Sequence, residues 1–510
     1  MTDQPRGLER GLTNYGDRDF ARFLRRSFAR SMGISTGLLE RPIVGIAMTP
    51  SGFNNCHRHM PELVEAVSRG VLAAGALPRP FPTVSLGEVF LNPTSMMYRN
   101  LMAMDTEEMI GAQPMDAVVL IGGCDKTVPA QLMGAASAGL PAVQLVTGPM
   151  STGRHQGQRF GACTDCRGFW AKYRAGTVDS DEIETVEGRL SVTAGTCAVM
   201  GTASTMACIA ETLGMSLPGT GRHPAVHADR LVAAEETGKA AVQLIASGIT
   251  PRDVITEKSV ENAIRVLMAV SGSTNAVVHL IAVAGRLGIR IPYARFNALS
   301  DETPVLVDLK PVGRGYMEDF HAAGGMDALL RELRPLLHLD TVDVEGRTLA
   351  ERLDEPPDWV DRAVIRPFAE PVSPVGGLVA LTGSLAPDGA IFKRAAGGGV
   401  HRSGRSEPAH RRPGARCRAG RRAGATERRT ARGGNAGGGL PADPTQAGTG
   451  RGEGHGPGVG RAHVGDRLRL DRAARRAGGG RGRPAGRRAR RGPDPALGRE
   501  QTHRPAGRGG

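Results

Sequence analysis

The sequence lacks any apolar run close to the roughly 20 residues that a membrane-spanning helix needs. Its first 30 residues are charged throughout, which is not the pattern of a secretory signal. We therefore expect no membrane partner and a cytoplasmic location. Cysteine is also scarce, with seven in 510 residues. An odd number in such a long chain favours metal-binding or catalytic roles over a disulfide framework.

Six residue types disappear after Lys393: residues 394–510 contain no Lys, Ile, Phe, Met, Tyr or Trp. Arg, Gly, Ala and Pro dominate there, and such a composition cannot bury a core, so we expect this segment to be disordered. It holds 28 Arg and 8 acidic residues, a balance of +20, whereas the whole chain carries +14. Residues 1–393 therefore carry a net charge of −6. This mild acidity is typical of an ordinary enzyme and argues against a nucleic-acid partner.

Short apolar segments rich in β-branched residues alternate with helical patterns before that point. We predict buried strands at 42–47, 80–85, 116–121 and 142–147. The alternation predicts an α/β fold with a parallel sheet and helices on both faces. We expect the organisation to be a lead-in at 1–40, an α/β domain at 41–370 and the start of a β-rich domain at 371–393. In this last segment the Asp388-Gly389 dipeptide predicts a hairpin turn.

The stretch Gly122–Pro129 places a thiol, a carboxylate and an amine side by side as Cys124, Asp125 and Lys126. They lie where a predicted strand turns into a helix, and ligands of open parallel sheets bind at that edge. An ionisable pair at a buried strand end is costly unless it binds something, which favours a functional role. Glu88 follows another predicted strand and has a similar position.

Three cysteines, Cys56, Cys124 and Cys197, each follow a predicted strand or loop and precede a helix. All three could therefore converge at one edge of the sheet. Three thiolates suit an iron–sulfur cluster with one iron open to substrate, or a zinc site with a bound water. They are equally compatible with buried, chemically silent thiols.

Three further features carry weaker signals. Cys163 and Cys166 form a single Cys-x-x-Cys pair. Without a second such pair it is weak evidence for zinc or redox chemistry. His57 and His59 fit polar neighbours as well as ligands. The turn at 148–153 is rich in backbone donors and could hold an anionic group.

Three motifs contain the three cysteines: Ser-Gly-Phe-Asn-Asn-Cys at 51–56, Gly-Gly-Cys-Asp-Lys-Thr-Val-Pro at 122–129, and Gly-Thr-Cys-Ala-Val-Met-Gly-Thr-Ala at 195–203. Together they resemble the dihydroxy-acid dehydratase and phosphogluconate dehydratase family. The resemblance covers residues 41 to 393. The loop Gly-Ala-Cys-Thr-Asp-Cys-Arg-Gly-Phe-Trp at 161–170 is similar to the sugar-acid branch, the arabinonate and xylonate dehydratases.

The resemblance implies cofactors, a substrate and an assembly. It implies an iron–sulfur cluster of the 2Fe–2S type, rather than 4Fe–4S, on the three cysteines named above. It also implies a Mg²⁺ ion bound by Glu88, Asp125 and a carbamylated Lys126. The reaction would remove water from a small 2,3-dihydroxy sugar acid to give a 2-keto-3-deoxy acid. The family implies a homodimer or tetramer.

Two family motifs are missing. The family's base is a serine in Ala-Arg-Met-Ser-Gly, and a further Mg²⁺ ligand is a glutamate in Gly-Met-Pro-Glu; neither occurs here, so we assign no catalytic residue. A reading frame shifted by one base allows 451–469 to read GVKDMVRVSDARMSGTAFG and 435–444 to read MPEAGYLPIP. The serine would then straddle Val464 and Gly465, and the glutamate Gly437 and Gly438. We expect a frameshift near codon 394 and an inactive chain.

The sequence is compatible with two alternative functions. One is an intact dihydroxy-acid dehydratase of branched-chain amino-acid synthesis, against which the 161–170 loop argues. The other is a nucleic-acid-binding protein with a basic tail on a retired enzyme domain. Assays with dihydroxyisovalerate against pentonates, and salt-dependent binding to RNA, would distinguish them.

Overall fold

A computed structural model describes residues 5–354 and 359–394 of the chain. The predictions of a disordered tail and of a shifted reading frame concern residues that lie outside these ranges, apart from Arg394. Within them the fold is α/β, as the sequence predicts. The eight strands of the described part are β1 (Ile43–Met48), β2 (Leu77–Pro82), β3 (Ala117–Gly122), β4 (Ala142–Val146), β5 (Gly153–His155), β6 (Gln158–Phe160), β7 (Leu378–Gly383) and β8 (Ala386–Lys393).

Helices make up most of the remaining regular structure. Short 3-10 helices at Gly7–Glu9, Asn14–Gly16, Asn55–His57, Ser95–Tyr98 and Arg334–Leu336 connect them. The α-helices of the described part are α1 (Arg18–Ser31), α2 (Thr36–Leu39), α3 (Met60–Ala73), α4 (Arg99–Ala112), α5 (Thr127–Ala138), α6 (Asp165–Arg174), α7 (Ser180–Leu190), α8 (Thr202–Thr212), α9 (Ala228–Ser247), α10 (Pro251–Val254), α11 (Glu257–Ala269), α12 (Thr274–Arg286), α13 (Tyr293–Glu302), α14 (Met317–Ala322), α15 (Gly325–Glu332) and α16 (Leu349–Arg352).

Four parallel strands form the central sheet in the order β2-β1-β3-β4. Every residue of β3 and β4 is buried, which explains their continuous apolar sequences. The path from β1 through α3 runs to one side of the sheet, and the path from β3 through α5 runs to the other. Because such crossovers are right-handed, α3 and α5 lie on opposite faces. Helix α9 packs beside α3, and α4 beside α5.

The direction of the chain reverses between β1 and β3, which are hydrogen-bonded neighbours in the sheet. This is the topological switch point, where the loops leaving two adjacent strands separate and open a crevice. The loop after β1 leads to Cys56, and the turn after β3 contains Cys124. The topology alone thus brings two of the predicted site residues to the same crevice.

The strand predicted at 80–85 is displaced: the structure places β2 at Leu77–Pro82. Its prolines, at positions 78, 80 and 82, suit an edge strand because they lack an N–H to donate. The residues between the prolines can still pair with β1. The Leu77 N–H, for example, donates to the Pro42 carbonyl at 2.8 Å. The strand therefore begins three residues earlier than predicted and ends at Pro82.

The predicted hairpin exists as β7 and β8, but its turn is not at Asp388-Gly389. Gly383 pairs with Ala386, so the reversal lies at residues 384–385 and Gly389 is inside β8. Gly389 has φ +96°, and a side chain there would meet the ring of Tyr293 at 2.6 Å. Its glycine accommodates that ring and does not form the turn.

A second apolar cluster follows the sheet domain in sequence and is built largely from residues 306–365. It includes Met317 and Phe320 of α14 and the leucines of α15. In the described residues no helix is both long and apolar enough to cross a membrane. The domain boundaries at 40, 370 and 393 stay predictions.

Candidate functional site

The three predicted cysteines lie at the carboxyl edge of the sheet. Cys56 is in the 3-10 helix after β1, and Cys124 is in the turn between β3 and α5. Cys197 arrives from a distant loop, whose Thr196 pairs with Pro149 just beyond β4. The Thr196 N–H donates to the Gly148 carbonyl at 2.9 Å, and the Met150 N–H donates to the Thr196 carbonyl at 2.8 Å. These bonds extend the edge of the sheet far enough to include Cys197.

The thiols interact in two pairs. The second pair contains Cys163, for which the sequence gives only a weak signal. A hydrogen bond with Cys124 raises the pKa of Cys56, and the same bond lowers the pKa of Cys124. A hydrogen bond with Cys163 likewise raises the pKa of Cys197 and lowers that of Cys163. Asp125 acts electrostatically on all four thiols. Four cysteines therefore share the site.

His57 is a positioning residue for this edge. Its Nε2 accepts the N–H groups of Gly123 and Cys124 at 3.0 and 3.1 Å, so that nitrogen carries no proton. Its Nδ1 lies 2.8 Å from the Thr49 carbonyl, to which it donates. Burial lowers the pKa of His57 to about 4, which keeps the ring neutral and this bonding pattern intact. The ring fixes the turn that contains Cys124.

Two glycines allow the loops to approach closely. A Cβ on Gly123 would lie 1.7 Å from Thr147 Oγ1. A Cβ on Gly195 would lie 2.8 Å from the Met150 nitrogen, and Gly195 also has φ +116°, a conformation that favours glycine. Glycine at both positions lets the turns bearing Cys124 and Cys197 pack against the same segment after β4.

The charged residues predicted for a metal site also come together. Lys126 is only 2% exposed and ends the turn at the start of α5. Its Nζ lies 3.0 Å from Glu88 Oε2 and 3.5 Å from Asp125 Oδ2. Ser95 donates a hydrogen bond to the same Glu88 oxygen. Two carboxylates thus converge on one buried cationic nitrogen, with 41% of the Glu88 side chain and 22% of the Asp125 side chain exposed.

The donor sets suit the cofactors that the sequence implies. Four sulfur atoms at one protein edge match the soft ligands of an iron–sulfur cluster. Hard carboxylate oxygens match Mg²⁺, and the Lys126 ammonium stands where a cation between Glu88 and Asp125 would be favourable. An anionic, carbamylated Lys126 would instead need a cation there, because three anions would otherwise meet in a buried place.

The other sequence signals turn out differently. Cys166, the partner of Cys163 in the Cys-x-x-Cys pair, lies on α6 and is not part of the two thiol pairs. His59 is a polar neighbour whose Nε2 lies 2.9 Å from the Thr147 carbonyl. In the turn at 148–153, the N–H groups of Ser151 and Thr152 donate to the Thr193 hydroxyl and to the Glu318 carboxylate of this chain. The expected anion-holding turn is therefore a structural one.

Cys163 could not be recognised from strand ends because its loop comes from outside the central sheet. It follows the small hairpin of β5 and β6 and has φ +77°. The loop is fastened by Asp165, which accepts the Gly161 N–H at 2.8 Å and the Lys310 ammonium at 2.7 Å. The Cys-x-x-Cys pattern is the one sequence signal for this loop. Its first cysteine, Cys163, is the one that contacts the other thiols.

Comparison with known proteins agrees with this geometry. Residues 41–352 match the family model described as dihydroxy-acid/6-phosphogluconate dehydratase N-terminal. The chain is 42% identical over 386 residues to an L-arabonate dehydratase of Azospirillum brasilense, covering 75% of this chain and 66% of that protein. It is 41% identical over 361 residues to a 6-deoxy-6-sulfo-D-gluconate dehydratase of Pseudomonas putida, covering 70% and 62%.

A third relative is a dihydroxy-acid dehydratase of Acetivibrio thermocellus, which is 38% identical over 378 residues, covering 73% of this chain and 68% of the relative. The chain thus spans about two thirds of the length of these curated relatives. The matched segment contains every cysteine, carboxylate and lysine of the site described above. The chain belongs to the dihydroxy-acid/6-phosphogluconate dehydratase family.

Proposed function

We propose that this chain derives from an iron–sulfur, Mg²⁺-dependent dehydratase that removes water from 2,3-dihydroxy sugar acids to give 2-keto-3-deoxy acids. We further propose that the chain in its present reading frame is inactive. One observation carries the proposal. The cluster of cysteine thiols and the cluster formed by Glu88, Asp125 and Lys126 meet at one topological switch point.

The proposed roles follow from position. Cys56, Cys124 and Cys197 would hold a 2Fe–2S cluster, and Glu88, Asp125 and Lys126 would hold Mg²⁺. When bound, these groups would supply a Lewis acid for the C3 hydroxyl and a cation for the substrate carboxylate.

The chain's own residues prepare the site in two ways. Lys126 and Cys124 are only 2% and 5% exposed, so these two side chains are removed from water and their electrostatic interactions are strengthened. His57 holds the turn between them through the Gly123 and Cys124 N–H groups. We assign no residue of the described ranges to removal of the C2 proton, which is the basis for expecting inactivity.

The sugar-acid branch is favoured over the branched-chain pathway by the loop at 161–170. That loop places Cys163 beside Cys197, and the two sugar-acid relatives are 41% and 42% identical, against 38% for the dihydroxy-acid dehydratase. A frame-corrected enzyme should therefore dehydrate a pentonate faster than dihydroxyisovalerate. The reverse preference would assign the chain to the branched-chain reaction.

The cluster assignment is tested on the full chain purified without oxygen. We expect bound iron and sulfide with visible absorbance, and we expect Cys124→Ser to remove the absorbance because the thiolate is the ligand. Cys166→Ser is the matched control, since Cys166 lies in the same region outside the thiol pairs, and should retain it. A folded protein without iron, or with zinc in its place, would refute the assignment.

The Mg²⁺ assignment is tested by Lys126→Met in the frame-corrected chain. Loss of a group worth several kcal/mol in the transition state should lower kcat by roughly 10³-fold or more. Lys258→Met is the control, because Lys258 is an exposed residue paired with Asp340. Unchanged kcat in the Lys126 variant would exclude that lysine from the metal site.

A further inference from the structure

A second cluster of metal-binding side chains lies apart from the cysteine edge. It consists of His223, Asp229 and His321, whose ligand atoms all lie within 4.8 Å of one another. His223 is in the loop before α9, Asp229 is in the first turn of α9, and His321 is on α14. Nearly 100 residues separate the outer members in sequence, so no local motif reveals them.

The separations are close to those that a bound ion requires. Ligands at roughly 2.1 Å around a tetrahedral zinc ion stand roughly 3.4 Å apart. His223 Nδ1 lies 3.9 Å from Asp229 Oδ2, and the His223 and His321 ring centroids are 5.4 Å apart. Asp229 is half exposed, with 53% of its side chain accessible, so a small rotation can shorten its distances.

Two buried nitrogens of the cluster lack hydrogen bonds. The Nδ1 atoms of His223 and His321 are inaccessible to solvent and have no hydrogen-bond partner among the described residues. Leaving such an atom unsatisfied typically costs about 1–3 kcal/mol, and a coordinated metal would satisfy both at once. This is the second, independent sign that the cluster accommodates a ligand.

A third histidine stands beside the cluster. The His227 ring is 5.2 Å from the His321 ring, centroid to centroid. Its Nδ1 accepts the Asp229 N–H at 3.2 Å and so caps α9. We therefore do not count it among the ligands, but it screens one side of the cluster.

The surrounding charges make Asp229 indispensable. Arg222 and Arg230 both lie near the histidines, and their charges oppose a bound cation. Their guanidinium groups are held by backbone carbonyls: Arg222 donates to Gly324 at 2.8 Å, and Arg230 donates to Val146 at 2.7 Å and to the carbonyl of His223 itself. The Asp229 carboxylate is the anion that can offset them at this position.

We propose that His223, Asp229 and His321 form a binding site for a divalent transition metal such as Zn²⁺, separate from the cysteine edge. The bound ion fastens α14, which belongs to the second apolar cluster, to the start of α9, which packs on the sheet domain. Its role is structural. The same loop contacts the segment after β4, since the Ala225 N–H donates to the Pro149 carbonyl at 2.8 Å.

Co²⁺ is the probe for this site, added to the full chain purified with its cysteine site filled. Imidazole and carboxylate ligands give weak visible bands, whereas thiolates add an intense near-ultraviolet charge-transfer band. In the difference spectrum against the same protein without Co²⁺, which subtracts the cluster's own absorbance, we expect visible bands without the charge-transfer band. His321→Ala should weaken Co²⁺ binding more than roughly tenfold, because losing even an outer partner of a metal ligand costs 10–100-fold.

His338→Ala is the matched control, since His338 pairs with Glu261 elsewhere and should leave the affinity unchanged. Asp229→Asn keeps the shape of an exposed position and serves if His321→Ala does not fold. Zn²⁺ should also raise the thermal midpoint of the parent chain and not that of Asp229→Asn. Equal Co²⁺ affinity in all variants, or a thiolate-type spectrum alone, would overturn the proposal.

Discussion

The central sheet and the β7–β8 hairpin are built from similar residues but are buried to different extents. All positions of β3 and β4 are buried, whereas β7 is exposed from Leu381 onward. Leu381 and Leu385 of the hairpin are 48% and 81% exposed. The hairpin rests on the α/β body through its inner side chains and presents apolar ones to solvent. Exposed apolar side chains of this kind can mark a surface that a partner or a further domain covers.

The two regions also differ in the reactive side chains that they carry. The edge of the sheet carries a full set of thiols and a carboxylate–lysine group, held by His57 and by close glycine contacts. The hairpin leads toward the segment in which the family's base is expected. The difference teaches that the proposed metal ligands come together within the described α/β body, without any contribution from the hairpin.

The largest stability effect should come from the sheet. Leu120 of β3 is fully buried, so Leu120→Ala should lower the free energy of unfolding by about 2–5 kcal/mol through lost burial and a cavity. The matched substitution Leu381→Ala in the hairpin should change it by less than about 0.5 kcal/mol. Denaturant titration followed by circular dichroism measures both. Equal losses would show that the hairpin is as tightly packed as the sheet.

A smaller effect should appear with pH in the body. Burial holds the pKa of His279 well below its usual value, and its Nδ1 accepts from Arg99 at 3.0 Å. Between that depressed pKa and about 6.5 the unfolded chain binds more protons, so stability is present above pH 6.5 and falls as pH falls. Lowering the pH from 7 to 5 should therefore lower the free energy of unfolding through this group.

His279→Gln keeps a hydrogen-bond acceptor and removes the titration, so unfolding of this variant should depend less steeply on pH. Chemical denaturation at several pH values measures the slope. A slope identical to that of the parent chain would mean that His279 takes up a proton as readily in the folded protein as in the unfolded chain, contrary to its burial.

The smallest effect should come from the tip of the hairpin. Leu385→Ser should alter the free energy of unfolding by less than about 0.5 kcal/mol, because Leu385 is mostly exposed. It should, however, reduce self-association of the full chain, as judged by light scattering, if the exposed apolar face causes aggregation. A large loss of stability would show that the tip is packed against part of the protein.

The sequence predicts which of these side chains meet where strand ends decide the geometry; their roles as ligands stay predictions. Cys56, Cys124 and Lys126 follow strands of a parallel sheet, and such ends meet at one edge whatever the loops do. It failed for Cys163, because a loop from outside the sheet delivers that thiol and no local periodicity reports its path. The cluster of His223 and His321 was missed for the same reason.

Errors in the fold have local causes. Strand β2 begins at Leu77, three residues before the predicted start at 80, because an edge strand accepts prolines whose missing N–H needs no partner. The Asp388-Gly389 dipeptide predicts a turn because it is a strong hairpin signal. Contact of Gly389 with Tyr293, which sequence cannot reveal, explains that glycine instead.

The most direct test compares two proteins with equal iron content: the chain as encoded and the chain after a one-base correction near codon 394. Both are assayed for conversion of a pentonate to its 2-keto-3-deoxy acid, and codons 385–400 are resequenced. We predict that both bind iron and sulfide but that only the corrected chain turns over, at an ordinary rate of roughly 1–10³ per second. Turnover by the uncorrected chain at such a rate, with its frame confirmed, would contradict the account.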